Sequence, residues 1–410
     1  MGQWIDFKVS LKQPLSERQN DPDQEQAKNF SPKGHALIRG VAGSGKSLIL
    51  RDRATSLAKE FDRILVLSYN RLMNQWLNAT IESATASTFH TWAYTFGYTY
   101  DHDQNPEQRQ EAIALAKVSG FQYDAILIDE AQDFYDEWFQ AVLAVLNPDT
   151  QSLFFVYDNT QSIYGQPHRR KSGWTWKNLG INVTGRSQVF DVNYRNTPEI
   201  LDVAWNFIRP ALENAQMPVA RRERDDKGKV IKTPSIGTII EPRKKTSRSS
   251  GIKPLLLPMN RSAMPSLIAQ QVKMALDSHP DSSIGVLYHP NIPAAAILQG
   301  GITRELTALG VQHVAPQSSQ ERSENVVRRP CVLVDSWNAV KGLEFDAVII
   351  VGLDAIPEFD DVDRTFEAKA SLYVAMTRAR DHLVMLYTRQ TALVESVEQA
   401  LMADSVLLEG

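Results

Sequence analysis

Gly40-Val-Ala-Gly-Ser-Gly-Lys-Ser47, read with Ile126-Leu-Ile-Asp-Glu-Ala-Gln-Asp133 further along, decides the fold of this chain. The first stretch has the spacing G-x-x-x-x-G-K-[ST]. The apolar run Ala36-Leu-Ile38 precedes it, and a helix-like segment from Leu48 to Lys59 follows. Strand, glycine loop and helix in that order make a phosphate cradle lined by Gly43, Ser44, Gly45, Lys46 and Ser47. Backbone N–H groups and the helix N-terminus point at the anion, Lys46 reaches the β- and γ-phosphates, and the Ser47 hydroxyl is placed for Mg²⁺. In the second stretch Asp129 and Glu130 end an apolar strand, Ala125 to Ile128. Asp129 there supplies a second metal contact, and Glu130 a group that polarises the attacking water. The two stretches together predict hydrolysis of a nucleoside triphosphate.

With 410 residues the chain has material for two or three domains with buried cores. A hydrophobic content of 43% and a charged content of 22% are those of an ordinary globular protein. No basic segment leading into an apolar one opens the chain, and Asp6 does not fit an N-myristoylation pattern. No apolar run approaches the roughly 18 residues needed to span a bilayer, so a cytoplasmic protein without a membrane partner is expected. The single cysteine, Cys331, sits in a strand-like run and reads as a structural thiol. A net charge of −4 gives no global basic signal for nucleic acid. A strand-binding groove, however, needs only local positive charge and stacking surfaces.

Short apolar strands alternate with helix-like segments through the first half: Ala36–Ile38, Ile64–Leu67, Ala125–Ile128 and Leu153–Val156. A second series runs through Val189–Val192, Ile284–Leu287, Val332–Val334, Ala347–Val351 and Leu383–Leu386. This pattern predicts two consecutive α/β units with parallel sheets, residues 1–185 and 186–410. Polar residues from about 211 to 253, with basic runs at 221–229 and 243–248, read as a solvated, mobile insertion or as a basic patch for phosphate or a partner.

Further motifs follow in a known order, and the chain from about Asp21 to Arg380 resembles superfamily 1 helicases of the UvrD/Rep/PcrA type, in particular compact UvrD-like proteins. Asp21-Pro-Asp-Gln-Glu25 resembles the family's Q motif, which implies that Gln24, or else Gln26, hydrogen-bonds adenine. Ile64 to Asn70 resembles motif Ia and Thr85 to His90 motif Ib, which implies strand contacts by Tyr69, Asn70, Thr88 and His90. Val156 to Tyr164 resembles motif III, with Tyr157 where the family has glycine and Gln161 in the γ-phosphate-sensing place. Asn193 to Glu199 resembles motif IV, which implies adenine stacking by Tyr194 and a γ-phosphate contact by Arg195. Ser336 to Phe345 resembles motif V, with Asn338 where the family has histidine; Gly342 matches, and Glu344 would contact the ribose. Leu372 to Arg380 resembles motif VI, which implies that Arg378 is a second catalytic arginine and leaves Arg380 as a helix-surface charge.

The resemblance implies two RecA-like domains of the P-loop NTPase fold, with ATP and Mg²⁺ at the interdomain cleft. Lys46, Glu130, Gln161, Arg195 and Arg378 would carry the chemistry. Trp174 and Trp176 follow motif III, where relatives place stacking aromatics, although core packing is an equal reading for one of them. The implied activity is 3′→5′ translocation on, or unwinding of, single-stranded or tailed duplex DNA, in repair, recombination or defence against foreign DNA. The family's large 1B insertion would shrink to about 93–122, and 2B to the polar 211–253 stretch and an α/β segment. A separate nuclease or effector is the partner such a reduced motor would call for. An ATP-switched regulatory subunit of such a nuclease and an RNA helicase are the competing readings.

Overall fold

The structure, a computed structural model, describes residues 4–5, 21–99, 105–158, 160, 174–226, 229–235, 237–289, 295–318, 321–322 and 332–410. Contacts divide the chain into an N-terminal unit, Leu15–Asp191 with Pro218–Glu241, and a C-terminal unit, Met1–Pro14 with Val192–Met217 and Pro242–Gly410.

The N-terminal unit begins with α1 (Pro22–Lys28), β1 (Ala36–Gly40), α2 (Lys46–Leu57), β2 (Ile64–Ser68), α3 (Arg71–Thr80) and β3 (Thr85–Thr88). It continues with α4 (Phe89–Tyr94), α5 (Pro106–Val118), β4 (Ala125–Ile128), α6 (Asp136–Ala144), β5 (Ser152–Tyr157) and β6 (Ser187–Phe190). The six strands form one parallel sheet in the order β3-β2-β4-β5-β1-β6. Every residue of β1, β2, β4 and β5 is buried, as a parallel sheet covered on both faces requires. The strand period of two sorts the side chains between the faces. Leu37, Leu65, Ile126 and Phe155 meet the aromatic cluster of Phe89, Trp138 and Phe139. Ile38, Val66, Leu127 and Phe154 meet Ile49, Leu50 and Leu77.

The C-terminal unit contains α7 (Pro198–Asn214), β7 (Leu255–Pro258), α8 (Met264–Ser278), β8 (Ile284–Tyr288), α9 (Ala295–Ala308) and β9 (His313–Val314). After these come β10 (Val332–Ser336), β11 (Phe345–Val351), α10 (Val362–Met376), β12 (Ala379–Tyr387) and α11 (Ala392–Met402). A second parallel six-stranded sheet runs β7-β12-β11-β8-β10-β9. Val286, Val334, Ile349 and Val384 on one face pack against Ile268 and Val272 of α8 and Ile302 and Leu306 of α9. The architecture is α/β with two parallel-sheet units, as the strand pattern predicts, and agrees with the RecA-like domains that the resemblance implies.

Three expectations are revised. The boundary falls at Asp191/Val192 instead of 185/186, because Ser187–Phe190 pairs in parallel with β1 and closes the first sheet. Trp4 and Ile5 join the core of the C-terminal unit, and the Trp4 N–H donates to Gln271 Oε1 at 2.7 Å. The described residues of the 211–253 stretch are solvated only in part. Its first residues complete α7, and Val219–Ala220 and Glu223–Arg224 pair with Ile239–Ile240 and Val230–Lys232. Arg222 and Arg248 are buried in ion pairs, with Asp23 and Asp191 for the first and with Asp381 for the second. Among the described residues no helix is long and apolar enough to cross a membrane.

Candidate nucleotide site

In the N-terminal unit the chain leaves β1 at Gly40 and turns into α2 through Gly43 and Gly45, whose φ values are 65° and 90°. A side chain is strained at such angles, so glycine is needed there. Lys46 opens α2, and its ammonium donates to the carbonyls of Gly40 and Val41 at 2.7 and 2.8 Å, with Asp158 Oδ2 at 3.8 Å. The cation thus lies over the loop in the place where phosphate oxygens would compete for it. Gln24 on α1 is buried and donates from Nε2 to the Ser44 carbonyl at 3.1 Å. The structure therefore puts Gln24 against the phosphate loop, while Gln26 is engaged by Gln188 at 3.2 Å.

At the end of β4, Asp129 and Glu130 are both buried. Burial pushes the Asp129 carboxyl up to about 7 and the charge of Glu130 adds to the shift, opposed by the Ser47 hydroxyl, the Glu130 N–H and Lys46. Asp129 Oδ2 has no hydrogen-bond partner among the described residues. A buried carboxylate oxygen beside a serine hydroxyl is a hard-oxygen donor set, which suits Mg²⁺. Ser47 and Asp129 are the residues that would hold the ion, and a bound Mg²⁺ there would neutralise phosphate charge.

Glu130 stands at φ 52°, a left-handed conformation that non-glycine residues seldom adopt. Such strain collects at functional positions. Its carboxylate accepts from Gln132 Nε2, and Gln132 Oε1 accepts from the Asp158 N–H at 3.0 Å. Burial raises the Asp158 carboxyl, with Lys46 opposing the shift. Lys46, Asp158, Gln132 and Glu130 thus form one chain of contacts from phosphate loop to water-polarising carboxylate. Sequence reasoning missed Gln132 and Asp158. Both lay inside stretches it had already singled out, two residues after Glu130 and at the end of the β5 strand. Gln161 and Cys331 lie outside the described residues.

In the C-terminal unit Arg195 donates from Nε to Glu344 Oε2 at 2.8 Å. Two residues assigned separately to phosphate and ribose are therefore paired with each other. Gly342, at φ 90°, makes the turn that delivers Glu344. Arg378 is 1% exposed and donates to the carbonyls of Val374 and Leu343 at 3.0 and 3.3 Å. The Lys245 ammonium lies 5.5 Å from the Tyr194 ring centroid. Arg380 is not on a helix surface: it belongs to β12 and pairs with Asp346 at 3.4 Å.

The proposed strand-contacting residues separate into two kinds. Tyr69, Asn70, Thr88 and His90 gather at the ends of β2 and β3. The His90 ring meets Trp138 edge-on at 4.9 Å and Tyr69 at 5.9 Å. Asn70 caps α3 by accepting from Leu72 N–H at 2.8 Å, and Thr88 caps α4 by accepting from Thr91 N–H at 3.2 Å. Those two side chains already have structural work. Trp176, 2% exposed, is wedged against Phe155 and Phe139 with ring centroids at 4.6 and 5.2 Å. It is a core residue and offers no face to a base, so the stacking assignment holds at most for half-buried Trp174 beside it. Asn338 accepts from the Ser371 hydroxyl at 3.1 Å.

A family model described as an AAA domain matches residues 24–167, and one described as a UvrD-like helicase C-terminal domain matches residues 311–390. No curated protein matches. One similar solved structure is described as the C-terminal domain of a possible DNA helicase from Lactobacillus plantarum WCFS1. It shares 20% identity and covers 51% of this chain and 96% of its own, at a TM-score of 0.31, too low to bear on the fold. The first match spans the phosphate loop, Asp129 and Glu130; the second spans Glu344 and Arg378, in the order that the motifs had suggested. In these two matches the chain is similar to UvrD-like helicases, as its motifs suggest.

Proposed function

We propose that this chain is a DNA helicase, an ATP-driven motor that walks 3′→5′ along single-stranded DNA. The observation that carries the reading is the arrangement in the N-terminal unit. A phosphate loop with Lys46 over its carbonyls, a serine–aspartate pair fit for Mg²⁺ and a strained glutamate tied to Asp158 by Gln132 are the parts of a hydrolytic site. Lys46 holds the β- and γ-phosphates, and Glu130 accepts a proton from the attacking water. Arg195 and Arg378 stabilise charge on the equatorial oxygens at the transition state. Arg195 leaves Glu344 to do so, which frees Glu344 for the ribose. Loss of the γ-phosphate removes what the arginines bind, and this differential affinity drives the conformational cycle.

Tyr69, His90 and Trp174 grip the bases by stacking, which is worth roughly 1–3 kcal/mol per base and tolerates any sequence. Among the described residues, α5 is the one helix or strand between α4 and β4, and only 30 residues separate Tyr94 from Ala125. Little chain is available there to engage a duplex junction, where each base-pair step opposes the motor by about 1.4 kcal/mol. Translocation is therefore strong and unwinding by the lone chain weak. Two assays on one preparation test this: displacement of a protein block from single-stranded DNA, and separation of a tailed duplex. Robust duplex separation by a monomer would contradict the weak-unwinding part. Failure to displace the block with ATPase intact would contradict the motor itself and favour an ATP-driven switch.

A further inference from the structure

The segment Pro218–Glu241, which the chain sends into the N-terminal unit from between α7 and β7, touches three parts of the nucleotide site. The first is the Q-motif helix. Arg222 and Arg224 face Asp23 and Asp191 in a group of two cations and two anions, of which Arg222 and Asp191 are buried and Arg224 and Asp23 half-buried. Arg222 donates through Nη1 to Asp23 Oδ2, and through Nη2 to Asp23 Oδ1 at 3.1 Å. Arg224 Nη2 donates to Asp23 Oδ2 and to Asp191 Oδ1, both at 3.1 Å. Gln188 adds a bond to Asp23 Oδ1 at 2.8 Å. Asp23 is the immediate neighbour of Gln24, whose amide rests on the Ser44 carbonyl of the phosphate loop. The second part is β1, where the buried Arg39 guanidinium, one residue before Gly40, donates to the carbonyls of Pro234 and Ser235. The third is the loop itself, since Val41 packs against Ile240 and Val189.

A surface decoration would not bury charge in this way. An arginine and an aspartate removed from water need each other's hydrogen bonds, and deleting one partner leaves the other uncompensated. Burial alone would raise the Asp23 carboxyl, but Arg222 and Arg224 more than offset it and hold it below its ordinary range. Asp23 therefore stays ionised and the contact stays closed. The α1 helix has only seven residues, too short to hold its own orientation in water. Its direction must come from what clamps it.

We propose that Arg222 and Arg224 are positioning residues that hold Asp23, and through it Gln24, in the register that reads the adenine base. The segment 218–241 thereby sets base selectivity without touching the nucleotide. This rests on the reading of Gln24 as the adenine contact. A misplaced amide loses a hydrogen bond to the base while the phosphate contacts of Lys46 and Ser47 persist. The loss is then in affinity and selectivity, with turnover at saturating ATP retained.

The test uses the full chain and fluorescently labelled ATP and GTP, with dissociation constants measured for the wild type, Gln24→Ala, Arg224→Gln, Arg224→Lys and the double variant Gln24→Ala/Arg224→Gln. Arg224 is the choice because it is the less buried of the two arginines; Asp23→Asn serves in its place if Arg224→Gln does not fold. Arg224→Gln should weaken ATP binding roughly five- to tenfold, the scale of one hydrogen bond. It should also shrink the ATP-over-GTP preference while kcat stays within about twofold. Arg224→Lys should recover most of the loss. Added to Gln24→Ala, Arg224→Gln should cost no further selectivity, since both act through one contact. If Gln24→Ala removes the preference and Arg224→Gln leaves it intact, the clamp is overturned and the Gln24 reading stands. A preference unchanged by Gln24→Ala overturns both.

Discussion

The two units share a scaffold and differ in charge. Each is a parallel six-stranded sheet with helices, and each places its charged candidates in the connections between strands and helices. In the N-terminal unit those connections bring buried carboxylates around one lysine: Asp129, Glu130 and Asp158 near Lys46. In the C-terminal unit they bring arginines, Arg195 held by Glu344 and Arg378 by main-chain carbonyls. The fold is common to both, so the division of labour comes from residues grafted onto loops, not from topology.

The sharpest way to break this division is to disable the N-terminal set. Lys46→Ala should abolish ATP hydrolysis. Glu130→Gln should bind ATP but lower kcat by roughly 10²–10⁴, the span of general-base catalysis, because an amide cannot accept the water's proton. Near-normal turnover of Glu130→Gln would remove it from the role. In the C-terminal set, Arg195→Ala and Arg378→Ala should each lower kcat by roughly 10³, with ATP affinity changed less. Thermal melting should separate the two. Arg195 is half-buried and its loss should leave the midpoint nearly unchanged, whereas the core-bound Arg378 should lower it by several degrees. Equal midpoints would mean that the carbonyl contacts of Arg378 carry little stability.

Much of this was legible beforehand, for reasons that specific residues make plain. The central strands, β1, β2, β4, β5 and β8, are built around apolar runs such as Ala36–Ile38 and Ile64–Leu67, and burial on both faces forces such runs. Edge strands are another matter. Thr85–Thr88 and His313–Val314 are short or polar and are strands only because a neighbour pairs with them. The phosphate loop and the carboxylate pair were legible because their chemistry depends on residues adjacent in sequence. The ion-pair group of Asp23, Asp191, Arg222 and Arg224 was not, since its members are brought together only by folding, and a charged run read alone suggests solvent. Trp174 and Trp176 show the limit at closest range. Two residues apart, they gave no sequence signal to tell the core ring from the half-buried one.

Smaller effects sharpen the comparison further. Tyr69→Ala and Trp174→Ala should weaken single-strand binding by roughly 1–3 kcal/mol each and leave the slope of affinity with salt unchanged, because stacking releases few counterions. Trp176→Ala should instead destabilise the N-terminal core, by about 3–5 kcal/mol. Titrations of binding over salt, with thermal melts alongside, distinguish these outcomes.

The units should also answer pH in opposite senses. Asp129, raised to about 7 by burial and then by Glu130, binds its proton more tightly in the folded state. Stability from that group is present at low pH and is lost as pH rises from 3.8 through about 7. Burial depresses His289 in the C-terminal unit to about 4. Its contribution is present above 6.5 and is lost as pH falls toward 4. Relative to the wild type, Asp129→Asn should gain stability as pH rises through the first window. His289→Phe should gain as pH falls through the second. Parallel shifts at all pH values would refute both assignments.

The central claim, that the two charge sets together power movement along a strand, is tested most directly by steady-state ATPase rate at saturating concentrations of single-stranded DNA of increasing length. A walking motor hydrolyses more ATP per encounter on longer strands, so the rate should climb with length and level off once dissociation from the end no longer limits it. A rate stimulated by DNA but independent of length would contradict walking.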